Sequence, residues 1–152
     1  MRIALTGGTG FIGSATARSL AHAGHEVIAL TRSASQTSHI QDVCDRFVQG
    51  SVEDRDAHHA LLQEADVLVH NAFDWKPLKD GDLQTHMDRN LSASLDLIDL
   101  AATTEKQVIF VSSVAVHHMM LPEWNGQIDD THPSRPGTRY GSCKVAIEAH
   151  LW

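Results

Sequence analysis

The chain has 152 residues, 42% hydrophobic and 20% charged, the composition of one folded domain over residues 1–152, which excludes a disordered or low-complexity polypeptide. A formal net charge of -7 argues against a nucleic-acid backbone as a general partner, since such binding rests on clustered Lys and Arg. No apolar run approaches the roughly 20 residues of a membrane span, and Met1 leads straight into a strand without a signal-peptide pattern, so the expected location is cytoplasmic, with no membrane partner.

The first strand, Ile3 to Thr6, runs into Gly7, Gly8, Gly10 and Gly13, and the chain then turns helical from Ser14 to Ala23. Glycines at i, i+3 and i+6 (Gly7, Gly10, Gly13) allow a tight turn and let a pyrophosphate approach the backbone, while the helix N-terminus offers its N–H groups to the anion. A second apolar strand, Val27 to Leu30, completes a βαβ unit after Gly24, which fits a helix C-cap. That strand ends at Thr31-Arg32-Ser33, where the adenosine ribose lies in this architecture. Arg32, with Thr31, Ser33 and Ser35 beside it, predicts NADP in preference to NAD.

Ile40, Val43 and Cys44 at helical spacing predict a short crossover helix within Gln36 to Arg46, followed by a strand from Phe47 to Gln49. Gly50 turns the chain, and Glu53 and Asp54 start a helix whose buried side is Ala57, Leu61 and Leu62. The strand Val67 to His70 leads to Asn71-Ala72-Phe73, placed at the carboxyl end of the sheet where ligands bind in open α/β folds. Residues 73–81 read as a loop, and a long helix follows from Leu83 to Thr103, with Leu83, Met87, Leu91, Leu95, Ile98 and Ala102 as its apolar stripe. Asn90 falls beside that stripe, either as a surface residue or as a buried polar group with a task. A fifth strand, Val108 to Ser112, ends in Ser112-Ser113; the long segment Val114 to Thr138, with Met119, Met120 and Trp124, reads as a functional loop, and a last helix begins near Tyr140. Cys44 and Cys143 lie outside any CxxC spacing and read as reduced thiols, and the eleven histidines form no HExxH or compact cluster, so no metal site is expected.

Tyr140 and Lys144 stand four apart on that last helix and share a face, and an ammonium near a phenol favours the phenolate. Parallel-sheet geometry brings Ser113, at the end of the fifth strand, to the rim that carries the glycine turn and Asn71. The segments TGGTGFIG, HNA, SSVAV and YGSCK, in this order, resemble the short-chain dehydrogenase/reductase superfamily and, within it, the extended NAD(P)-dependent epimerase/dehydratase branch. The resemblance implies a Rossmann-type doubly wound parallel sheet of strand order 3-2-1-4-5, truncated before the sixth strand and the substrate domain of longer members.

By position the resemblance also implies Ser113, Tyr140, Lys144 and Asn90 as the catalytic residues. The implied cofactor contacts are Gly7, Gly10, Phe11, Ile12, Gly13, Arg32, Ser51, Val52, Asn71 and Ala72, with Tyr140 and Lys144. In such enzymes the tyrosine moves the proton, the serine binds the substrate oxygen, and the lysine holds the nicotinamide ribose and tunes the tyrosine. Two positions depart from the family pattern: Ser51 stands where an Asp is common after the third strand, and Val116-His117-His118 where VYG is common. The implied activity is hydride transfer between a nicotinamide and a hydroxyl or carbonyl carbon of a small molecule; the alternative is a non-catalytic dinucleotide-binding or interaction domain, or part of a longer enzyme. With this strand order Val108 to Val111 forms a sheet edge, which predicts a homo-oligomer, a dimer by edge pairing or helix packing.

Overall fold

The computed structural model describes residues 1–32, 37–118 and 122–152; Ser33, Ser35, Met119 and Met120 lie outside the described residues. The chain forms two compact units, Met1–Val111 and Ser112–Trp152. In the first unit, β1 (Arg2–Thr6), β2 (Glu26–Thr31), β3 (Arg46–Gln49), β4 (Val67–His70) and β5 (Gln107–Phe110) make one sheet. Its order is β3-β2-β1-β4-β5, and every neighbouring pair is parallel, as the strand pattern requires.

Alternation along the central strands decides which residues face which layer. Ala4, Ile28, Leu30 and Leu68 meet Ala57, Leu61 and Leu62 of α2 (Arg55–Leu62) and Leu97 and Ala101 of α5 (Ala93–Thr103) on one face. Ile3, Leu5, Val27, Ala29, Val67 and Val69 meet Ala17 of α1 (Phe11–His22), together with Ile40 and Cys44, on the other. Both faces of β1, β2 and β4 are therefore buried, which is why these strands read as apolar runs. Asp54 caps α2, accepting from the N–H groups of Asp56 and Ala57 at 3.0 and 3.2 Å. Gly24, at φ +80°, ends α1, with its N–H on the Ala21 carbonyl and that of His25 on the Leu20 carbonyl.

Several boundaries depart from the sequence reading. Helix α1 starts at Phe11 rather than Ser14, directly on the last turn of the glycine segment. No helix forms over the described part of 36–46: Ile40 N–H bonds the Thr37 carbonyl and Val43 N–H the Ile40 carbonyl, two successive turns that bring Ile40 and Cys44 onto the sheet. Thr, Ser, His and Asp dominate that stretch and gain little from helix. Within 73–81 a short helix, α3 (Lys76–Asp80), forms because Pro77 suits a first turn and Gly81 at φ +75° stops it.

The long helical run consists of α4 (Leu83–His86), a π-helical turn (Met87–Ser92) and α5. Its buried face is His86, Asn90, Ala93, Ser94, Leu97, Ile98 and Ala101, one residue behind the apolar stripe read from the sequence. Leu83 and Met87 are exposed instead. Small and polar residues face inward here because the helix lies close to the sheet and is held by hydrogen bonds.

The second unit contains a 3-10 turn at Val114–His117, another at Pro122–Trp124, and α6 (Arg139–Leu151). The segment read as a loop is thus partly ordered, with Arg135 N–H on the Val116 carbonyl and the His132 ring edge-on to His117 and beside Trp124. Thr138 caps α6 by accepting from Gly141 N–H at 3.0 Å. Strand β5 ends at Phe110, short of Ser112. Among the described residues no helix is long and apolar enough to cross a membrane.

Candidate functional site

The first unit carries a backbone cradle. Gly7 sits at φ +69°, and a Cβ built there would lie 2.9 Å from Ala72 Cα and from Ala72 N. A Cβ on Gly13 would meet the Gly7 carbonyl oxygen at 2.1 Å and Asn71 Nδ2 at 2.9 Å. Both positions therefore require glycine, one for its backbone angle and both for close packing. Gly10 is the N-cap of α1 with no side-chain cap bond, and no acid occupies the first helical turn. The helix start thus carries neither a side-chain acceptor nor an acid over its N–H groups and positive dipole end. Phe11 is 91% exposed and Ile12 53%, so neither belongs to the core.

The wall beside this cradle is the turn after β4. Asn71 Nδ2 donates to the Gly7 carbonyl at 3.4 Å, and the N–H groups of Asn71 and Ala72 both donate to Thr6 Oγ1 at 3.1 Å. Asn90 is buried and brackets Asp74: its Oδ1 accepts from Asp74 N–H at 2.6 Å and its Nδ2 donates to the Asp74 carbonyl at 2.9 Å. The same Nδ2 lies 3.0 Å from Nδ1 of His86. The amide of Asn90 is thus spent on holding the loop and the helix.

Arg32, at the end of β2, is exposed and stands 3.9 Å from the Asp74 carboxylate. Desolvation pushes the Asp74 carboxyl up, but the Lys76 N–H, Arg89 at 2.9 Å and Arg32 together hold it below the usual carboxylate range. Arg89 continues the chain of charges to Glu53 at 2.9 Å. Ser51 follows β3 and accepts from Asp54 N–H through its carbonyl, in the turn that starts α2. Val52 packs on the core and its carbonyl accepts from His58 Nε2–H at 2.6 Å.

In the second unit, Ser113 is extended and its Oγ accepts from Ala115 N–H at 3.2 Å, starting the 3-10 turn. A Cβ on Gly141 would lie 2.4 Å from the Ala115 carbonyl oxygen, so the start of α6 presses on the turn that follows Ser113. Tyr140 is half-buried, and Lys144 Nζ stands 5.9 Å from the centre of its ring. Lys144 is only 3% exposed, and burial pushes its ammonium down to about 8, against the opposing pull of Cys143 and Glu148. Tyr140 and Lys144, four residues apart, thus stand on one side of α6.

Sequence reasoning passed over Thr6, His70, Asp74 and Ser94, which connect the cradle to its wall. Thr6 and His70 end paired central strands, and two polar residues closing otherwise apolar strands were the available signal.

The chain matches the NAD dependent epimerase/dehydratase family over residues 3–152. It is 31% identical to a UDP-glucose 4-epimerase of Lacticaseibacillus casei, covering 97% of this chain and 45% of the relative. The structure of a Thermus thermophilus UDP-glucose 4-epimerase in complex with NAD superposes with a TM-score of 0.82 at 26% identity, covering 99% of this chain and 50% of that one. A short-chain dehydrogenase/reductase superfamily protein from Agrobacterium tumefaciens with bound NAD also reaches 0.82, at 25% identity, covering 99% of this chain and 44% of that one. The chain spans about half the length of the curated relatives it matches in full. With its parallel sheet of order 3-2-1-4-5 and its glycine turn, this chain belongs to the NAD dependent epimerase/dehydratase family, within the extended short-chain dehydrogenase/reductases.

Proposed function

We propose that the chain binds a nicotinamide dinucleotide and contributes Ser113, Tyr140 and Lys144 to hydride transfer at a hydroxyl or carbonyl carbon of a small molecule. The observation that carries this reading is the cradle: Cβ-intolerant Gly7 and Gly13, before and within the first turn of a helix that has neither a side-chain cap nor a first-turn acid. A pyrophosphate fits that combination of close backbone and unneutralised N–H groups. A nicotinamide dinucleotide held by Gly7, Gly13 and the start of α1 would supply the acceptor or donor of a hydride. By the family resemblance, Tyr140 would take the proton from the substrate hydroxyl, Ser113 would hydrogen-bond that oxygen, and Lys144 would hold the ribose and assist Tyr140. Several matched relatives are UDP-glucose 4-epimerases, which makes a nucleotide sugar the first substrate to assay.

The cofactor preferred is NADP, through Arg32 at the end of β2, where a 2′-phosphate would lie, although matched structures such as those above hold NAD. Titration of both dinucleotides decides the matter: Arg32→Gln weakens NADP and spares NAD, and equal affinities before and after the substitution remove the phosphate role. Tyr140→Phe abolishes turnover while leaving dinucleotide affinity nearly unchanged; turnover that survives it overturns the catalytic assignment. Because the chain spans half of its relatives, the second reading is a dinucleotide-binding portion of a longer enzyme. Tight binding without turnover in the unsubstituted chain selects it.

A further inference from the structure

Four groups buried beneath the dinucleotide cradle form a hydrogen-bond chain whose direction is determined. Ser94 Oγ donates to the Asn90 carbonyl at 2.6 Å. Having used its proton there, Ser94 Oγ faces His70 Nε2 at 2.8 Å as an acceptor, so Nε2 carries a hydrogen. At the other end Thr6 Oγ1 accepts from both Asn71 N–H and Ala72 N–H. Its lone pairs are then taken, and the 2.7 Å contact to His70 Nδ1 requires the threonine hydroxyl to donate into an unprotonated nitrogen. The opposite tautomer would bring a third donor onto Thr6 Oγ1 and set two lone pairs against each other at Ser94. Thr6, His70 and Ser94 are all at most 2% exposed, so solvent does not relieve a mismatch.

We propose that His70, held as the neutral Nε2–H tautomer, is a positioning residue for the dinucleotide site. Through Thr6 it fixes the Asn71–Ala72 turn that packs on Gly7, and through Ser94 it ties that turn to the helix at Asn90, whose side chain holds Asp74. The wall of the cradle is thereby set from both ends by one imidazole. This inference rests on the dinucleotide reading above and adds a residue which does not touch the cofactor.

Two measurements on the 152-residue chain test it. Long-range 15N–1H NMR of the unsubstituted protein gives His70 a protonated Nε2 and a bare Nδ1; a protonated Nδ1 overturns the proposal without any variant. Dissociation constants for NAD and NADP are then compared for His70→Leu, His70→Asn and His70→Gln. Leu weakens binding on the order of tenfold, the worth of one net buried hydrogen bond. Asn, whose carbonyl can replace Nδ1 as acceptor for Thr6, recovers most of the affinity, whereas Gln, which reaches Ser94 instead, does not. Thermal midpoints of the Asn and Gln variants stay close to each other, which a merely structural role would not combine with a split in affinity. Equal affinities across the three variants overturn the positioning role while leaving dinucleotide binding intact. An unsubstituted chain that binds neither cofactor overturns the dinucleotide reading, and this inference with it.

Discussion

Replacing Gly13 by alanine is the most direct challenge to the cradle, because the structure gives the size of the obstruction. The new Cβ would stand 2.1 Å from the Gly7 carbonyl oxygen and 2.7 Å from its carbon, far short of the 3.4 Å at which ordinary contact begins, and neither atom belongs to a side chain that can rotate away. Overpacking of this kind costs about 1–3 kcal/mol, and a backbone obstacle places the cost at the upper end. Gly13 lies inside α1, where alanine returns about 1 kcal/mol of helix propensity, leaving a net loss of about 2 kcal/mol. For a chain of this length that lowers the thermal midpoint by about 4–8 °C. Gly10→Ala is the matched control: its Cβ would meet only the Gly7 oxygen, at 3.3 Å, and its φ of −80° suits any residue. Circular-dichroism melts of the three proteins, followed by calorimetric titration with NAD, should show Gly13→Ala destabilised and impaired in binding, with Gly10→Ala near the unsubstituted protein in stability. A Gly13→Ala protein that melts and binds like the parent refutes the close packing of the turn against Gly7 and Asn71.

Two further outcomes follow. Lys144 has its folded pKa at about 8 against an ordinary 10.5, so the unfolded chain keeps a proton that the folded chain gives up: the resulting destabilisation, about 3 kcal/mol, is fully present below pH 8 and fades as pH rises towards 10.5. Lys144→Met is therefore more stable than the parent in urea at pH 7, with the gap largely closed at pH 10, and a gap independent of pH removes the desolvation account. We also propose that the chain self-associates through β5, which has a strand neighbour on one side only among the described residues and leaves Ile109 48% exposed. Light scattering at micromolar concentration should report a dimer that Ile109→Lys disperses, and a monomeric parent ends the proposal.

The sheet was legible because each central strand is buried on both faces, so Ile3–Thr6, Val27–Leu30 and Val67–His70 stand out as apolar runs separated by turn residues. The glycine turn was legible for a related reason: its task belongs to the backbone, and only glycine performs it. Placement of the helix stripe failed because burial of the 83–103 run is decided by what the opposite surface offers. Asn90 and Ser94 go inward to meet hydrogen-bonding partners on loop and strand, His86 goes inward to Asn90 and the Phe73 ring, and no periodicity of apolar residues records that. Ile40 and Cys44 have helical spacing but reach the sheet through two tight turns, which apolar spacing does not distinguish from a helix. In the candidate site, Tyr140 and Lys144 could be paired by spacing alone, whereas the role of Asn90 needed Asp74, which lies 16 residues away and is met only across the loop.

The link between Arg32 and Asp74 bears on how cofactor preference can be tested. At 3.9 Å, with the arginine exposed, it is a weak pair by itself, and the Asp74 carboxylate is already satisfied by Arg89 at 2.9 Å and by Lys76 N–H at 3.0 Å. A dianionic phosphate with three acceptor oxygens competes well for such a guanidinium, because it can take two parallel N–H bonds where Asp74 stands at ion-pair distance. Losing Arg32 therefore leaves Asp74 in place, held by its stronger partners and by the Asn90 bracket on its backbone. Introducing an acid at position 32 is a different perturbation, since a second carboxylate would stand beside Asp74 and repel the very loop that walls the cradle, weakening both cofactors for a reason unrelated to the 2′-phosphate. A neutral glutamine removes the charge without adding that repulsion, so any affinity lost in Arg32→Gln for NADP but not for NAD comes from the phosphate.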